Sequence, residues 1–479
     1  MKIYLETLGC QMNRLDSELA VSALRAAGHE MIDDPKAADV VLFNTCSVRK
    51  QAENKVYSRL GTEGQRKAAG KRFIVGVLGC MAQREGQDLL GKFPHVDLLC
   101  APGQLEALPA MIAAVAESAT AATPDGAAPA APGGRSPAMR LDPARSEPRD
   151  AAADERLEHL DLSRDPDATP SPAQAFVRVS RGCDKFCSYC IVPYVRGGEI
   201  SRDPSHIVQE VTRLAAAGRS EITLLGQTVN SYRWPGGGNG ARVSFADLLA
   251  RVAAIDGVRR LRFVTSHPLD FGDDILQAMR DLPNVCRYIH MPAQSGSDAM
   301  LSAMNRKYTR AQYDDLVDRA RATVPGVVLA GDFIVGFPGE SDADHQASRD
   351  LIVRSGYKNS FIFKYSPRPG TAAAKRLIDD VPLAVKRFRN NDLLAVQAQV
   401  SMAHHQSLIG TTQEVLVEGP SPRRAKQPTP APAGQTQMLG RTRGDHIVVF
   451  DAPPSLAHQY VNVPIVAATA LTLFGKLEG

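Results

Sequence analysis

The sequence predicts an α/β protein in three folded parts: an N-terminal parallel sheet with covering helices, a central (β/α)6 partial barrel, and a small C-terminal β-barrel. Three observations lead there. Near-continuous apolar strands alternate with amphipathic helices through residues 1–115 and 173–403, the pattern of parallel strands covered on both faces. Polar or sulfur-bearing residues follow almost every one of these strands, as expected where functional side chains gather at the carboxyl ends of β/α units. Two Pro- and Ala-rich stretches, 116–172 and 418–435, punctuate the chain.

With 479 residues, the chain has room for two or three domains of roughly 100–200 residues. Its 44% apolar and 23% charged content is that of a globular protein and argues against disorder throughout. There is no run of about 18 apolar residues to span a membrane, and MKIYLETLGCQMNR lacks the apolar core of a signal peptide. A cytoplasmic location with no membrane association is therefore expected, where eight cysteines serve as thiols, ligands or catalytic groups rather than disulfides. A net charge of +4 permits a nucleic-acid partner without requiring one.

In the N-terminal part, KIYLETL reads as a strand, followed by a helix with Leu15, Leu19 and Ala23 at i, i+4 spacing and closed by Gly28. DVVLFNT, a helix carrying Ala52, Val56 and Leu60, RFIVGVL, and the short DLLC continue the alternation. Cys10, Cys46 and Cys80 follow the first three strands directly, in TLGC, FNTC and VLGC. The carboxyl ends of parallel strands share one edge, so these distant cysteines should converge. Cys100, at the end of DLLC, is expected to be structural. Residues 116–172 hold few large apolar side chains and read as a disordered linker.

The central strands are AFVRVS, EITLLG, RLRFVTS, VCRYIH, VVLAGDFIVG and NSFIFKYS. Behind them come Cys183; Gln227 and Asn230; Ser266 and His267; His290 and Gln294; Asp332 and Glu340; Tyr365 and Arg368. Six strands are fewer than a closed eight. Cys286, within a strand, is expected to be a buried thiol. The last part, 404–476, offers VLVEG, HIVVFD and PIVAATALTLFG as barrel strands.

Cys183, Cys187 and Cys190 stand in C-x3-C-x2-C spacing on one loop. Three thiolates so close suit a soft metal, and an iron–sulfur cluster held by three cysteines keeps one iron open. A zinc knuckle with a distant fourth ligand is the alternative. Phe186 and Tyr189 are expected to pack the loop and exclude water.

The loop GCDKFCSYCIVPYVRGGEISR resembles that of radical S-adenosylmethionine (SAM) enzymes and, within them, of the methylthiotransferases. The likeness extends to GCQMN, NTCSVR, GCMAQ, LLGQTVNSY, SHP, HMPAQSGS, DFIVGFPGE and FKYSPRPGTAA, with Thr228 standing where the family more often has Asn. The resemblance implies a methylthiotransferase N-terminal domain (1–115), a radical-SAM core (173–403) and a TRAM RNA-binding domain (404–476). It implies a transferase that inserts a methylthio group at carbon 2 of N6-(dimethylallyl)adenosine at position 37 of tRNA. The alternatives are threonylcarbamoyladenosine in tRNA or a ribosomal-protein aspartate as substrate and, from another class, an iron–sulfur electron-transfer protein with an RNA-binding tail.

The implied cofactors are two 4Fe-4S clusters and SAM, the latter as methyl donor and radical source. Cys183, Cys187 and Cys190 would ligate the SAM-binding cluster, and Cys10, Cys46 and Cys80 the auxiliary one. Glu199 and the turn of Gly336, Pro338, Gly339 and Glu340 would contact SAM. Gln227, Asn230, Ser266, His290 and Gln294 would line SAM or substrate, and Arg441 and Arg443 would help bind RNA. The implied partners are tRNA, a sulfur donor and a low-potential electron donor of flavodoxin or ferredoxin type, and the enzyme is expected to be a monomer.

Overall fold

In the computed structural model, residues 1–48, 50–121, 137–143, 151–169, 171–236, 241–422 and 434–477 are described. They form two compact units, the first made of 1–170, 180–186 and 190–202, the second of 171–179, 187–189 and 203–479.

The first unit is a six-stranded, all-parallel sheet ordered β2-β1-β3-β4-β5-β6. Its strands are β1 (Lys2–Leu8), β2 (Glu30–Met31), β3 (Val40–Thr45), β4 (Ile74–Leu78), β5 (Leu98–Cys100) and β6 (Ala138–Arg140). Its helices are α1 (Gln11–Ala26), α2 (Lys50–Ala68), α3 (Cys80–Glu85), α4 (Gln87–Lys92), α5 (Leu108–Ala121) and α6 (Ala151–Ser163). Every residue of β3 and β4 is buried, which is why they lack the polar alternation of half-exposed strands. On one face Val41, Phe43, Val75, Val77 and Leu99 pack against Val56 and Leu60 of α2. Leu8 pairs with Thr45, and Asn44 with Leu78, so β1, β3 and β4 end at one level.

The expectation of a disordered linker over 116–172 is corrected where the stretch is described. It contains the end of α5, the edge strand β6, and α6; 122–136, 144–150 and 170 lie outside the described residues. α6 buries Leu157 and Leu160, and Glu158 pairs with the buried Arg202 at 2.7 Å. Arg164, also buried, meets Glu18 of α1 at 3.2 Å. Those partners are remote in sequence, so local composition could not show that the segment had anything to bind.

After β7 (Gln174–Arg178), a strand of the second unit, the chain adds β8 (Ser180–Arg181), α7 (Val192–Val195) and β9 (Ile200–Ser201) to the first. The second unit continues with α8 (Pro204–Ala216), β10 (Glu221–Leu225), the hairpin β11 (Arg233–Trp234) and β12 (Val243–Ser244), α9 (Phe245–Ala253), β13 (Arg260–Phe263) and α10 (Asp273–Asp281). Then come β14 (Tyr288–His290), α11 (Asp298–Ala303), α12 (Arg310–Thr323), β15 (Val328–Val335), α13 (Asp342–Ser355), β16 (Asn359–Lys364), α14 (Ala372–Arg376) and α15 (Leu383–Gln406).

The six expected barrel strands are all present and parallel, as two triplets, β7-β10-β13 and β14-β15-β16. A parallel bridge between Leu261 and Val285 links the triplets. Ile222, Leu224, Leu261, Phe263, Ile289, Leu329 and Phe333 pack in one core with helix residues such as Ile207, Leu248, Ile275 and Leu316. By strand alternation, the residues between them face the barrel interior.

The C-terminal part is a closed five-stranded barrel ordered β17-β18-β19-β21-β20, from β17 (Thr412–Pro420), β18 (Thr436–Thr442), β19 (Ile447–Ala452), β20 (Tyr460–Ala468) and β21 (Leu473–Gly475). Strand β18 was not among the expected ones. It sits against the amino ends of the barrel strands: Arg260 reaches the Glu414 carboxylate at 2.9 Å and the Arg441 carbonyl at 2.9 Å, and Lys358 reaches Asp445 at 2.8 Å. Among the described residues, no helix is long and apolar enough to cross a membrane.

Candidate active site

Cys10, Cys46 and Cys80 occupy the carboxyl edge of three adjacent strands of the first unit, and two glycines let the chain come that close. A Cβ on Gly9 would lie 2.9 Å from the Cys46 Cβ. Gly79, at φ +86°, would thrust one to 2.4 Å from Asn44 Oδ1; only glycine takes this backbone without strain. Asn44 ties the loops from within, its amide donating to the Asn13 carbonyl at 2.8 Å and to Ser17 Oγ at 2.9 Å.

The Cys10 and Cys46 thiols interact, which lowers the Cys10 pKa to about 6 and, together with burial, raises that of Cys46. Burial pushes Cys80 up, opposed by Arg196. The Arg196 Nε donates to Cys80 Sγ at 3.2 Å, and its Nη2 pairs with the wholly buried Asp16 at 2.5 Å. Ile191 and Val195, on the segment that follows Cys190, pack on Cys80.

Among the described residues, no group of three or more His, Cys, Asp or Glu side chains is arranged to hold a single metal ion. A cluster makes a different demand, because thiolates bind separate irons rather than one point. Thr45 Oγ1 and Ser47 Oγ, flanking Cys46, are buried without a hydrogen-bond partner, a state that ordinarily costs about 1–3 kcal/mol per group. Three thiols with unsatisfied hydroxyls and a guanidinium beside them fit a sulfide-bridged anionic group. Cys100, at the end of β5, has its thiol 3.3 Å from the Gln104 carbonyl and raised by burial.

The C-x3-C-x2-C loop begins in the first unit. The short ladder of β8 on β9 pairs Arg181 with Ile200, and Cys183 N–H donates to the Gly197 carbonyl at 3.2 Å. Gly182, at φ +68°, would put a Cβ 1.9 Å from the Gly198 oxygen. Glu199 is half-buried, its N–H held by Asp184 at 3.2 Å. In the second unit, Cys187 Sγ accepts from Arg306 Nη1 at 3.3 Å. Tyr189 packs against Met300, Met304, Phe337, Tyr365 and Ala373, as expected, whereas Phe186 is exposed.

At the strand ends of the second unit, His290 Nε2 pairs with Asp332 Oδ1 at 3.0 Å. Burial alone would discharge the imidazole, but Asp332 more than offsets it and raises the His290 pKa. Ser266 Oγ is buried without a partner. Gln294 takes the left-handed region, at φ 72°, while its N–H and C=O bridge to Asp332 and Ile334; such a conformation costs about 1–3 kcal/mol and clusters at functional sites. Gln227 is half-buried.

Other expected contacts are already engaged within the protein. Asn230 gives its amide to the His267 carbonyl at 2.9 Å and accepts the His267 N–H at 2.7 Å. Glu340 Oε2 accepts from Gly336 N–H at 2.6 Å and pairs with Arg389 at 2.8 Å; burial raises its pKa against both. Pro338 is buried and Gly339 N–H donates to Asp380 at 2.8 Å. Asn230 and Glu340 therefore shape the turns at the strand ends with their own side chains. Arg441 pairs with Glu418 and Asp445 at 3.1 and 3.0 Å, and Arg443 caps the Pro283 carbonyl. The Arg441 side chain is thus paired within the C-terminal barrel, and Arg443 reaches across to the loop before β14. Arg196, Arg306 and Asp16 were not singled out from sequence, because a basic residue near a cysteine loop has no visible partner until the chain is folded.

The chain is 46% identical over 476 residues to the tRNA-2-methylthio-N(6)-dimethylallyladenosine synthase of Rhodopirellula baltica, covering 99% of this chain and 95% of that one. It belongs to the tRNA-2-methylthio-N(6)-dimethylallyladenosine synthase family. Within the family it is also 41% identical to the synthase of Xanthomonas campestris pv. campestris, over 100% of this chain and 91% of that one. Residues 2–101 match the Uncharacterized protein family UPF0004, and residues 177–352 the Radical SAM superfamily. In fold, the chain is similar to the radical S-adenosylmethionine methyltransferase TsrM from Kitasatospora setae, solved with cobalamin and a 4Fe-4S cluster, at a TM-score of 0.50 and 14% identity over 86% of this chain and 77% of that one.

Proposed function

We propose that this member of the synthase family inserts a methylthio group at carbon 2 of N6-(dimethylallyl)adenosine in tRNA, using SAM and two iron–sulfur clusters. The observation that carries the reading is the full-length identity to enzymes of that name. The cysteines are supporting, one triplet on a single loop and the other at one sheet edge. The target is an unactivated aromatic C–H bond, beyond side-chain acid–base chemistry, so the cofactors must supply the reactive species. When bound, they supply the electron that cleaves SAM and the methylated sulfur that is inserted.

The chain's own residues hold and orient. Cys183, Cys187 and Cys190 are assigned to the SAM-binding cluster, with Arg306 beside Cys187. Cys10, Cys46 and Cys80 are assigned to the auxiliary cluster, where Thr45, Ser47 and Arg196 offer donors. Glu199, Gln227, Asn230, Ser266, His290, Gln294, Gly336, Pro338, Gly339 and Glu340 are the candidates for SAM and substrate, and among them Ser266 Oγ and Glu340 Oε1 are buried without a hydrogen-bond partner. A tRNA substrate calls for a cytoplasmic enzyme served by a sulfur donor and a low-potential reductant. Nucleoside mass spectrometry of tRNA from a strain lacking the protein tests the reading: 2-methylthio-N6-(dimethylallyl)adenosine should disappear, and its persistence at normal levels sinks the proposal.

A further inference from the structure

β16 is an edge strand of the β14-β15-β16 sheet. Its Asn359, Phe361 and Phe363 share a face, set by register against Ala330, Asp332 and Ile334 of β15. That face is the interior one, because Leu329 and Phe333, which alternate with them on β15, are in the helix-covered core. Inward side chains of β/α barrels ordinarily fill a packed interior. Here Phe361 is 45% exposed and Phe363 39% exposed. Two phenyl rings on one interior face are left uncovered.

Their surroundings say what would cover them. Phe361 meets the His290 ring edge-on at 6.1 Å, and His290 is the imidazole paired with Asp332 at the strand ends, so the rings are continuous with the candidate active site. Asn359 Oδ1, on the same face, is buried and has no hydrogen-bond partner. Lys364 alternates to the other face of the strand, and His290 already has its carboxylate. An apolar surface with one open acceptor, beside the Asp332 carboxylate that stands opposite Phe361, would disfavour an anionic substituent and suit an apolar one carried on an N–H. An adenine alkylated on N6 presents that combination.

We infer that Phe361 and Phe363 form the subsite for an apolar N6 substituent of the substrate adenosine and so determine specificity. The inference rests on the proposed tRNA reaction and goes beyond it by naming the residues that discriminate. Aromatic faces accept unstacked bases and apolar groups, and removing them should weaken binding of the alkylated base more than of plain adenosine.

The test uses the full-length protein with its clusters reconstituted and SAM present. Binding is followed by fluorescence anisotropy to an anticodon stem-loop RNA containing N6-(dimethylallyl)adenosine, the same RNA with adenosine, and one with N6-threonylcarbamoyladenosine. Wild-type protein should prefer the dimethylallyl RNA. Phe361→Ala and Phe363→Ala should each reduce that preference by about tenfold, with Phe361→Leu retaining part of it, while affinity for the plain-adenosine RNA changes less and the thermal melt stays near wild type. Preference retained in both Ala variants overturns the subsite alone. If wild-type protein prefers the threonylcarbamoyl RNA, or has no preference, the subsite falls together with the reading beneath it. Should the Ala variants melt early, Phe361→Leu and Phe363→Leu carry the comparison: a partial loss of preference in each supports the subsite, and full wild-type preference in both overturns it.

Discussion

The two cysteine triplets are built in opposite ways. Cys183, Cys187 and Cys190 sit within eight residues of one loop, so their proximity is a matter of chain length. Cys10, Cys46 and Cys80 are separated by whole β/α units and meet because β1, β3 and β4 are neighbours ending at one level. A site written into a loop can survive local disorder, whereas one assembled by a sheet depends on the glycines, asparagines and buried charges that hold the strands. The second kind should be disrupted by substitutions that touch no ligand.

The largest effects should separate the triplets by chemistry. Cys183→Ala, Cys187→Ala or Cys190→Ala should abolish both 5′-deoxyadenosine production and tRNA modification. Cys10→Ala, Cys46→Ala or Cys80→Ala should abolish modification but leave measurable SAM cleavage. Equal loss of cleavage in both sets would erase the division of labour.

Next comes Arg196→Met, which leaves the wholly buried Asp16 without its guanidinium. Unpairing a buried charge costs about 3–5 kcal/mol, so denaturant unfolding should show a loss of that order. A change below about 1 kcal/mol would mean that Asp16 is not held as its ion pair indicates. Gly79→Ala should destabilise by about 1–3 kcal/mol, since it adds a Cβ at φ +86° against Asn44. Gly28→Ala is a control: its φ is +80°, but nothing lies within 4 Å of the added carbon, so it should lose less.

A smaller effect comes from the C-terminal barrel. His404 Nε2 lies 2.9 Å from His446 Nε2, and the His405 ring is edge-on to His446. Burial, with the neighbouring histidines and Lys358, lowers His404 to about 4 and His446 to about 2. In the unfolded chain these rings titrate near about 6.5. Between about 6.5 and 4 the unfolded state therefore binds more protons, and stability must fall as pH falls through that window. Melting followed by circular dichroism from pH 7.5 to 5 should show it, and His446→Gln should flatten the slope. Smallest of all, Arg443→Ala removes a cap on the Pro283 carbonyl. It should lower the melting temperature slightly and change tRNA affinity less than about twofold; a marked loss of affinity with an unchanged melt would support the RNA-binding expectation.

Much of the fold was legible because period and burial agree. The six central strands and the first strands of the N-terminal sheet are apolar runs bounded by helices, and each was identified from sequence. Strands β2, β6 and β18 were not, since two are three residues or fewer and β18 follows a Pro-rich stretch. α6 was hidden for a different reason: its stabilising partners, Arg202 and α1, lie far along the chain. The same distance explains the site. His290 and Ser266 were named as strand-end residues, but that Asn230 is committed to His267 and Glu340 to Arg389 depends on neighbours that only folding supplies.

By itself, then, the sequence determined the spacing of the cysteines, the alternation of strand and helix, and the edge at which strand-end residues collect, because spacing and periodicity are local. Only the tertiary structure decided which side chains remain available. Arg196 against Cys80, the uncovered rings of Phe361 and Phe363, and the engagement of Arg441 and Arg443 with their partners are outcomes of long-range packing, in which each polar or apolar group is satisfied or left open by residues remote in the chain.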